Sequence, residues 1–167
     1  MLELSLMLFF PFMMIYSAFS DLFTMTISNW VSILLIVGFG IFAYMTGMEY
    51  SVLIMHCLTF LIVFFAGFTL FAFNIIGGGD AKLAASTGLW LGWGIVVPYV
   101  LIASILGGAL TLLIVFFRSK EILPFKLHQI GWLARLHDRK EGIPYGIALG
   151  LSALYIYPET AWIEAAL

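Results

Sequence analysis

LAASTGLWLGWGIVVPYVLIASILGGALTLLIVFF, residues 83–117, contains no charged side chain. As a single helix it would reach about 52 Å, against a bilayer hydrocarbon core of about 30 Å. The stretch therefore predicts two membrane spans, with a turn near Gly92-Trp93-Gly94 or at Pro98. Upstream lie three more apolar runs: Leu4–Ser20 with Pro11 inside it, Ser28–Met45 and Ser51–Ile76. Downstream lies one, Ile143–Tyr157. The sum is an all-α integral membrane protein of about six transmembrane helices.

Composition agrees. The 167 residues are 63% hydrophobic and 10% charged, where a soluble domain carries about 25% charged residues. One membrane-embedded domain over residues 1–167 is expected. Met1-Leu2-Glu3-Leu4 has no basic region of the kind that opens a cleaved signal peptide, so the first run reads as a retained span. The lone cysteine, Cys57, excludes an intrachain disulfide and reads as a small apolar packing residue. Pairs at helix-packing spacing, Gly88 with Gly92, Gly142 with Gly146 and Gly146 with Gly150, predict close helix contacts within the monomer.

The basic residues orient the chain. Lys82 follows span three, and Arg118, Lys120, Lys126, Arg135, Arg139 and Lys140 all fall between spans five and six. The positive-inside rule makes those loops cytoplasmic. The opposite side then holds Glu3, Glu49, Glu159 and Glu164, and both termini lie outside. The expected location is the inner, cytoplasmic membrane. In the basic loop, Arg118 to Gly142, the residues Ile130, Trp132, Leu133 and Leu136 are spaced for an amphipathic helix lying on headgroups. It reads as a topology anchor touching membrane lipid, with a gate over the site as the sharper alternative.

Asp21 ends the first span, and Asp80 follows the third inside Gly77-Gly78-Gly79-Asp80. A carboxylate at a membrane helix centre costs about 2.5 kcal/mol or more, so two of them at membrane boundaries need a reason. The orientation puts both at one membrane face. Two carboxylates a few Å apart cannot both ionise. One can act as general base on a water while its protonated partner polarises a peptide carbonyl. Which of the two holds the proton stays open, because the titration belongs to the pair. This chemistry is that of a membrane aspartyl protease. Gly77, Gly78 and Gly79 would leave room for an extended peptide beside Asp80. Asn29 could hydrogen-bond backbone near Asp21, with capping by Ser28 or Asn29 as the alternative. Lys82 could hold a carboxylate ionised, but lipid phosphate is the favoured partner. His56 lies toward the far side of the membrane. No His, Cys, Asp and Glu set has metal-ligand spacing, and no nucleotide-binding or Ser-His-Asp pattern is present. Neither cofactor, metal nor nucleic acid is expected.

At these residues the chain resembles the type IV prepilin peptidases, nearest the small Tad/Flp-pilus (TadV/CpaA-like) branch. The matching parts are Ser20-Asp21-Leu22 with Ile27-Ser28-Asn29, then Gly77-Gly78-Gly79-Asp80-Ala81-Lys82-Leu83. Gly142-Ile143-Pro144-Tyr145-Gly146-Ile147-Ala148 is similar to the family's last span. The resemblance implies six helices, with Asp21 and Asp80 as a catalytic pair at the cytoplasmic face. It also implies cleavage of a prepilin leader ahead of its hydrophobic helix. The sequence departs from the family at Ser28, where a proline is usual, and at Phe23-Thr24-Met25-Thr26, where basic residues are common. It lacks the cytoplasmic domain with paired cysteines of larger relatives, so N-methylation of the product is not expected. Leaders in the family are basic, yet the cytoplasmic loops carry five acids against seven bases, so bulk attraction does not recruit them. The alternatives are an archaeal preflagellin-type peptidase, a transporter using the two acids as ion sites, and an inactive assembly scaffold.

Overall fold

A computed structural model describes residues 2–119 and 130–164. Among these residues all regular structure is helical and there is no strand. The elements are α1 Leu2–Thr24, α2 Asn29–Met45, α3 Tyr50–Ala72, α4 Gly78–Leu91, α5 Trp93–Ser119, α6 Gly131–His137 and α7 Tyr145–Ile156. A 3-10 turn, Tyr157–Glu159, and the short α8, Ala161–Glu164, follow.

Met7–Thr24, Tyr50–Ala72 and Trp93–Ser119 are long and apolar enough to cross a membrane, and α2 is a shorter apolar helix. The protein is therefore membrane-embedded. α4 and α7 have 14 and 12 residues, so they run only about 21 and 18 Å. Burial compensates for their shortness. α4 sits in the middle of the bundle with Ala81, Leu83 and every residue from Ala85 to Leu91 buried. It packs against α3, α2, α7 and α5, while α7 packs against α1 and α5.

The charge-free run breaks at Gly92. Its φ of +71° lies in the left-handed region that only glycine adopts cheaply, and its N–H closes α4 on Gly88 O at 2.9 Å. A Cβ there would meet the His56 ring at 2.8 Å. Pro98 and Pro11 both lie within continuous helices.

Close helix approach runs through small residues. Gly67 of α3 faces Ala81 of α4, Gly88 faces Val63, and Gly150 faces the Met14 carbonyl and Ala18 on α1. These pairs explain Gly88 and Gly150 as packing positions inside the monomer, whereas Gly142 has open space where a Cβ would be.

Trp90 anchors the far end. It is fully buried, donates Nε1 to Leu35 O at 2.9 Å, and packs against Phe9, Phe10, Phe39, Phe42 and Trp162. Trp162 Nε1 closes on Trp90 O at 2.7 Å. His56 Nδ1 reaches Leu89 O at 2.6 Å in the same region.

Cys57 departs from its expected packing role, because it is exposed. α3 fully buries only Thr59 and Gly67; Leu53, Phe60 and Val63 pack partly buried against the core, and the face away from α4 is exposed. That surface carries Leu58, Leu61, Ile62, Phe65 and Phe68. An apolar face of this extent suits lipid rather than water.

Only part of the basic loop lies within the described residues; Lys120, Lys126 and His128 do not. What is described is tied to the bundle rather than laid away from it. Arg118 donates to the carbonyls of Leu136 at 2.8 Å, Glu141 at 3.1 Å and Gly142 at 2.8 Å. On α6, Trp132 meets Phe23 edge-on with ring centroids 5.6 Å apart, and Arg135 donates to Phe23 O. α6 is one short helix of seven residues with none buried.

Candidate active site

The buried face of α1 reads Phe10, Met14, Ser17, Asp21. Steps of four, three and four residues keep these on one side of a helix. Asp21 thus faces into the bundle at 5% exposure, where an unpartnered carboxylate would be strongly disfavoured. Its partner is the Gly146 N–H, which donates to Asp21 Oδ2 at 2.7 Å. Gly146 is the second residue of α7, so the carboxyl sits at the positive end of that helix.

Glycine is required at 146. A Cβ there would lie 2.8 Å from Asp21 Oδ2, 2.9 Å from Asp21 Cβ and 2.9 Å from Ile27 Cδ1. Its spacing with Gly142 and Gly150 was legible as packing, but its contact with Asp21 was not.

Asp80 has a parallel arrangement. It is the third residue of α4, half-buried, and its Oδ2 reaches back to accept from the Gly77 N–H at 3.3 Å, capping the helix start from within the first turn. The glycines also have a local reason. A Cβ on Gly77 would meet Asp80 Oδ2 at 2.8 Å, one on Gly78 would touch Phe71 at 3.3 Å, and one on Gly79 would meet Ile27 at 3.2 Å.

Both carboxyls therefore accept from a backbone N–H at a helix start, Asp80 at that of its own helix α4 and Asp21, from the last turn of α1, at that of α7, and the two are within electrostatic range of each other. The connection between α1 and α2 brings the two helix starts together. α1 ends through Met25, whose φ of +55° lets its N–H close on Asp21 O at 2.8 Å. Thr24 Oγ1 donates to Ser20 O at 2.7 Å and pairs with Thr26 Oγ1 at 2.8 Å. The chain turns there and places Ile27 against the positions of both Gly79 and Gly146. Ile27 is a site residue that sequence reasoning missed as such; an apolar residue in a short loop gives little signal.

Asn29 and Lys82 pair with each other. Lys82 Nζ donates to Asn29 Oδ1 at 2.9 Å, joining the starts of α4 and α2. The Asn29 carbonyl is thereby engaged by Lys82, not by backbone near Asp21, and the Lys82 ammonium meets an amide rather than a carboxylate. Capping of α2 falls to Ser28, whose Oγ accepts from Trp30 N at 3.4 Å.

Beside Asp80 a cavity of about 620 Å³ opens between α3, α4, α5 and the start of α7. Its walls are mostly apolar, with Asp80, Tyr99, Thr111 and Tyr145 among its polar side chains. Gly107 leaves space for the Tyr145 ring, and the Tyr145 hydroxyl pairs with Thr111 Oγ1 at 3.1 Å. A carboxyl pair beside an apolar cavity can activate a water and polarise a carbonyl on a chain lying in that cavity.

A model of the type IV leader peptidase family, Peptidase_A24, matches residues 8–112. The match covers both aspartates and well over half of the chain, and the chain belongs to that family. No curated protein and no solved structure matches it. Family membership makes the protein a membrane-embedded protease of type IV leader peptidase kind.

Proposed function

We propose that this member of the type IV leader peptidase family is an aspartic endopeptidase that removes the leader from a Flp/Tad-type prepilin. Asp21 and Asp80 form the catalytic pair, with Gly77, Gly78 and Gly79 supporting Asp80 and the Asn29–Lys82 pair bracing the helix starts. A single domain over residues 1–167 carries the activity. α1 to α5 and α7 occupy an inner membrane as six spans, with the site at the cytoplasmic face and both termini outside.

The observation that carries this reading is the convergence of two carboxyls, 59 positions apart in sequence, at the starts of α4 and α7. In this reading the pair shares one proton, since two carboxylates within electrostatic range of each other repel in a low-dielectric site. The ionised carboxylate takes a proton from water, and the resulting hydroxide attacks the scissile carbonyl. The protonated carboxyl hydrogen-bonds the carbonyl oxygen and then supplies the proton that the leaving amine needs. The basic side chains Lys82, Arg118 and Arg135 all make their contacts near this end of the bundle, which supports a cytoplasmic site.

The test is reconstitution of the purified protein in liposomes with a Flp-type prepilin, read by product mass. A pilin shortened by its leader, cut just before the hydrophobic segment, is expected. An intact pilin in liposomes that pass protons or cations would overturn the peptidase reading in favour of transport. Cleavage of a preflagellin but not of the prepilin would move the chain to the archaeal-type branch.

A further inference from the structure

The cavity beside Asp80 continues well beyond the reacting carboxyl. Asp80, Thr111 and Tyr145 stand at one end and Trp93 at the other. Between Trp93 and Thr111 α5 rises about 27 Å, close to the whole hydrocarbon core of about 30 Å. Ile62 and Leu70 on α3 and Val97 and Leu101 on α5 border the cavity and are exposed. It therefore opens sideways between α3 and α5, with α4 as its floor. Both walls are helices long and apolar enough to cross a membrane, so the opening faces hydrocarbon.

A polypeptide segment in hydrocarbon must satisfy its own backbone, so one seated in an apolar groove of this length is helical. In the peptidase reading, the cut falls just ahead of the substrate's hydrophobic helix. That helix must leave the site directly from Asp80. On its other sides α4 is covered by α2 and α7, so the groove is the way from Asp80 into the bilayer. We propose that the groove between α3 and α5 docks the hydrophobic helix of the substrate, which enters sideways from the bilayer with its N-terminal end at Asp80. The assignment rests on the peptidase reading above and adds where the substrate's membrane segment lies. Lipid tails are as apolar as leucine, so such a helix is held by close packing rather than by escape from water. Gly108 leaves room for that approach: it borders the groove, is exposed, and a Cβ there would meet nothing within 4 Å. Contacts along the groove are made before and during the reaction alike, so they act on KM rather than kcat.

The experiment uses liposomes holding the full chain and a Flp-type prepilin at varied mole fraction. Gly108→Leu fills the groove. Gly40→Leu is its control on α2, where a Cβ also meets nothing within 4 Å and the groove is not touched. Gly108→Leu is expected to raise KM about tenfold with kcat little changed, and Gly40→Leu to stay within about twofold of wild type. Cross-linking reads the position directly. With Cys57→Ser to remove the native thiol and Asp21→Asn to keep the prepilin intact, Ser104→Cys in the groove is expected to form a disulfide with a cysteine in the prepilin's hydrophobic helix. Val37→Cys, exposed on α2 and away from the groove, is expected to form none. An unchanged KM in Gly108→Leu, or cross-linking at Val37→Cys as strong as at Ser104→Cys, would overturn the assignment. So would a wild type that cleaves prepilin while Ser104→Cys forms no cross-link, which would leave the groove to lipid. Wild type that cleaves no prepilin would instead remove the peptidase reading on which the assignment rests.

Discussion

Gly146→Ala adds one methyl group at the point where α7 meets Asp21. The added carbon would stand 2.8 Å from Asp21 Oδ2 and 2.9 Å from both Asp21 Cβ and Ile27 Cδ1. None of these is the end of a long flexible side chain, so the first turn of α7 must retreat or the carboxyl must rotate away. Either movement lengthens the 2.7 Å bond from the Gly146 N–H. Overpacking of this kind costs about 1–3 kcal/mol, and a hydrogen bond to a charged group is worth about 1.5–3 kcal/mol. The two overlap and do not sum. A displacement of about 1 Å at a reacting group costs on the order of a hundredfold in rate. The expected outcome is a loss of about two decades in prepilin cleavage at matched amounts of folded protein, with a moderate fall in unfolding temperature. Two comparisons isolate the cause. Gly150→Ala brings its Cβ to 2.9 Å from the Met14 carbonyl in the same α1–α7 contact but touches no carboxyl, so it should destabilise with a much smaller loss of rate. Gly40→Ala on α2 meets nothing within 4 Å and should be neutral. Gly146→Ala cleaving within about threefold of wild type would refute the claim that this N–H sets the working position of Asp21.

Trp90→Ala empties a fully buried site and removes the indole's bond to Leu35 O; a loss of about 3–5 kcal/mol is expected. Because Trp90 is ten residues along α4 from Asp80, about 15 Å, cleavage per folded molecule should be nearly retained, as thermal unfolding and kcat measured together would show. Arg118→Ala removes three hydrogen bonds to the segment holding α6. Trypsin applied from the cytoplasmic face should then cut at Arg135, Arg139 and Lys140 about tenfold faster, and an unchanged rate would mean that the guanidinium does not hold the segment.

Much of the fold was legible because hydrophobic runs and breaker residues carry it directly. The charge-free run of 35 residues had to break, and Gly92 was a named candidate because only glycine takes its φ of +71° cheaply. Run length is a weaker guide to helix length. Ser51–Ile76 contains no charged residue among Asp, Glu, Lys and Arg, yet α3 stops at Ala72, and Asn74 turns the chain with a φ of +57°. Nor did apolar character distinguish the buried α4 from the outward-facing α3, and so Cys57 was misplaced. The two aspartates stood out because acids are scarce in such a chain. Their partners did not. Gly146 contributes a backbone N–H, which has no sequence signature, and Ile27 acts by filling space. Lys82 and Asn29 were noticed separately, but their mutual bond depends on how α4 stands beside α2, which pattern does not report.

The most direct measurement is the mass of a Flp-type pilin recovered from membranes holding wild type, Asp21→Asn or Asp80→Asn at equal levels. Each substitution keeps the shape of the side chain and removes the titrating carboxyl. Shortened pilin with wild type and intact pilin with both variants is the predicted result. Shortened pilin from either variant would contradict a mechanism built on the two carboxyls.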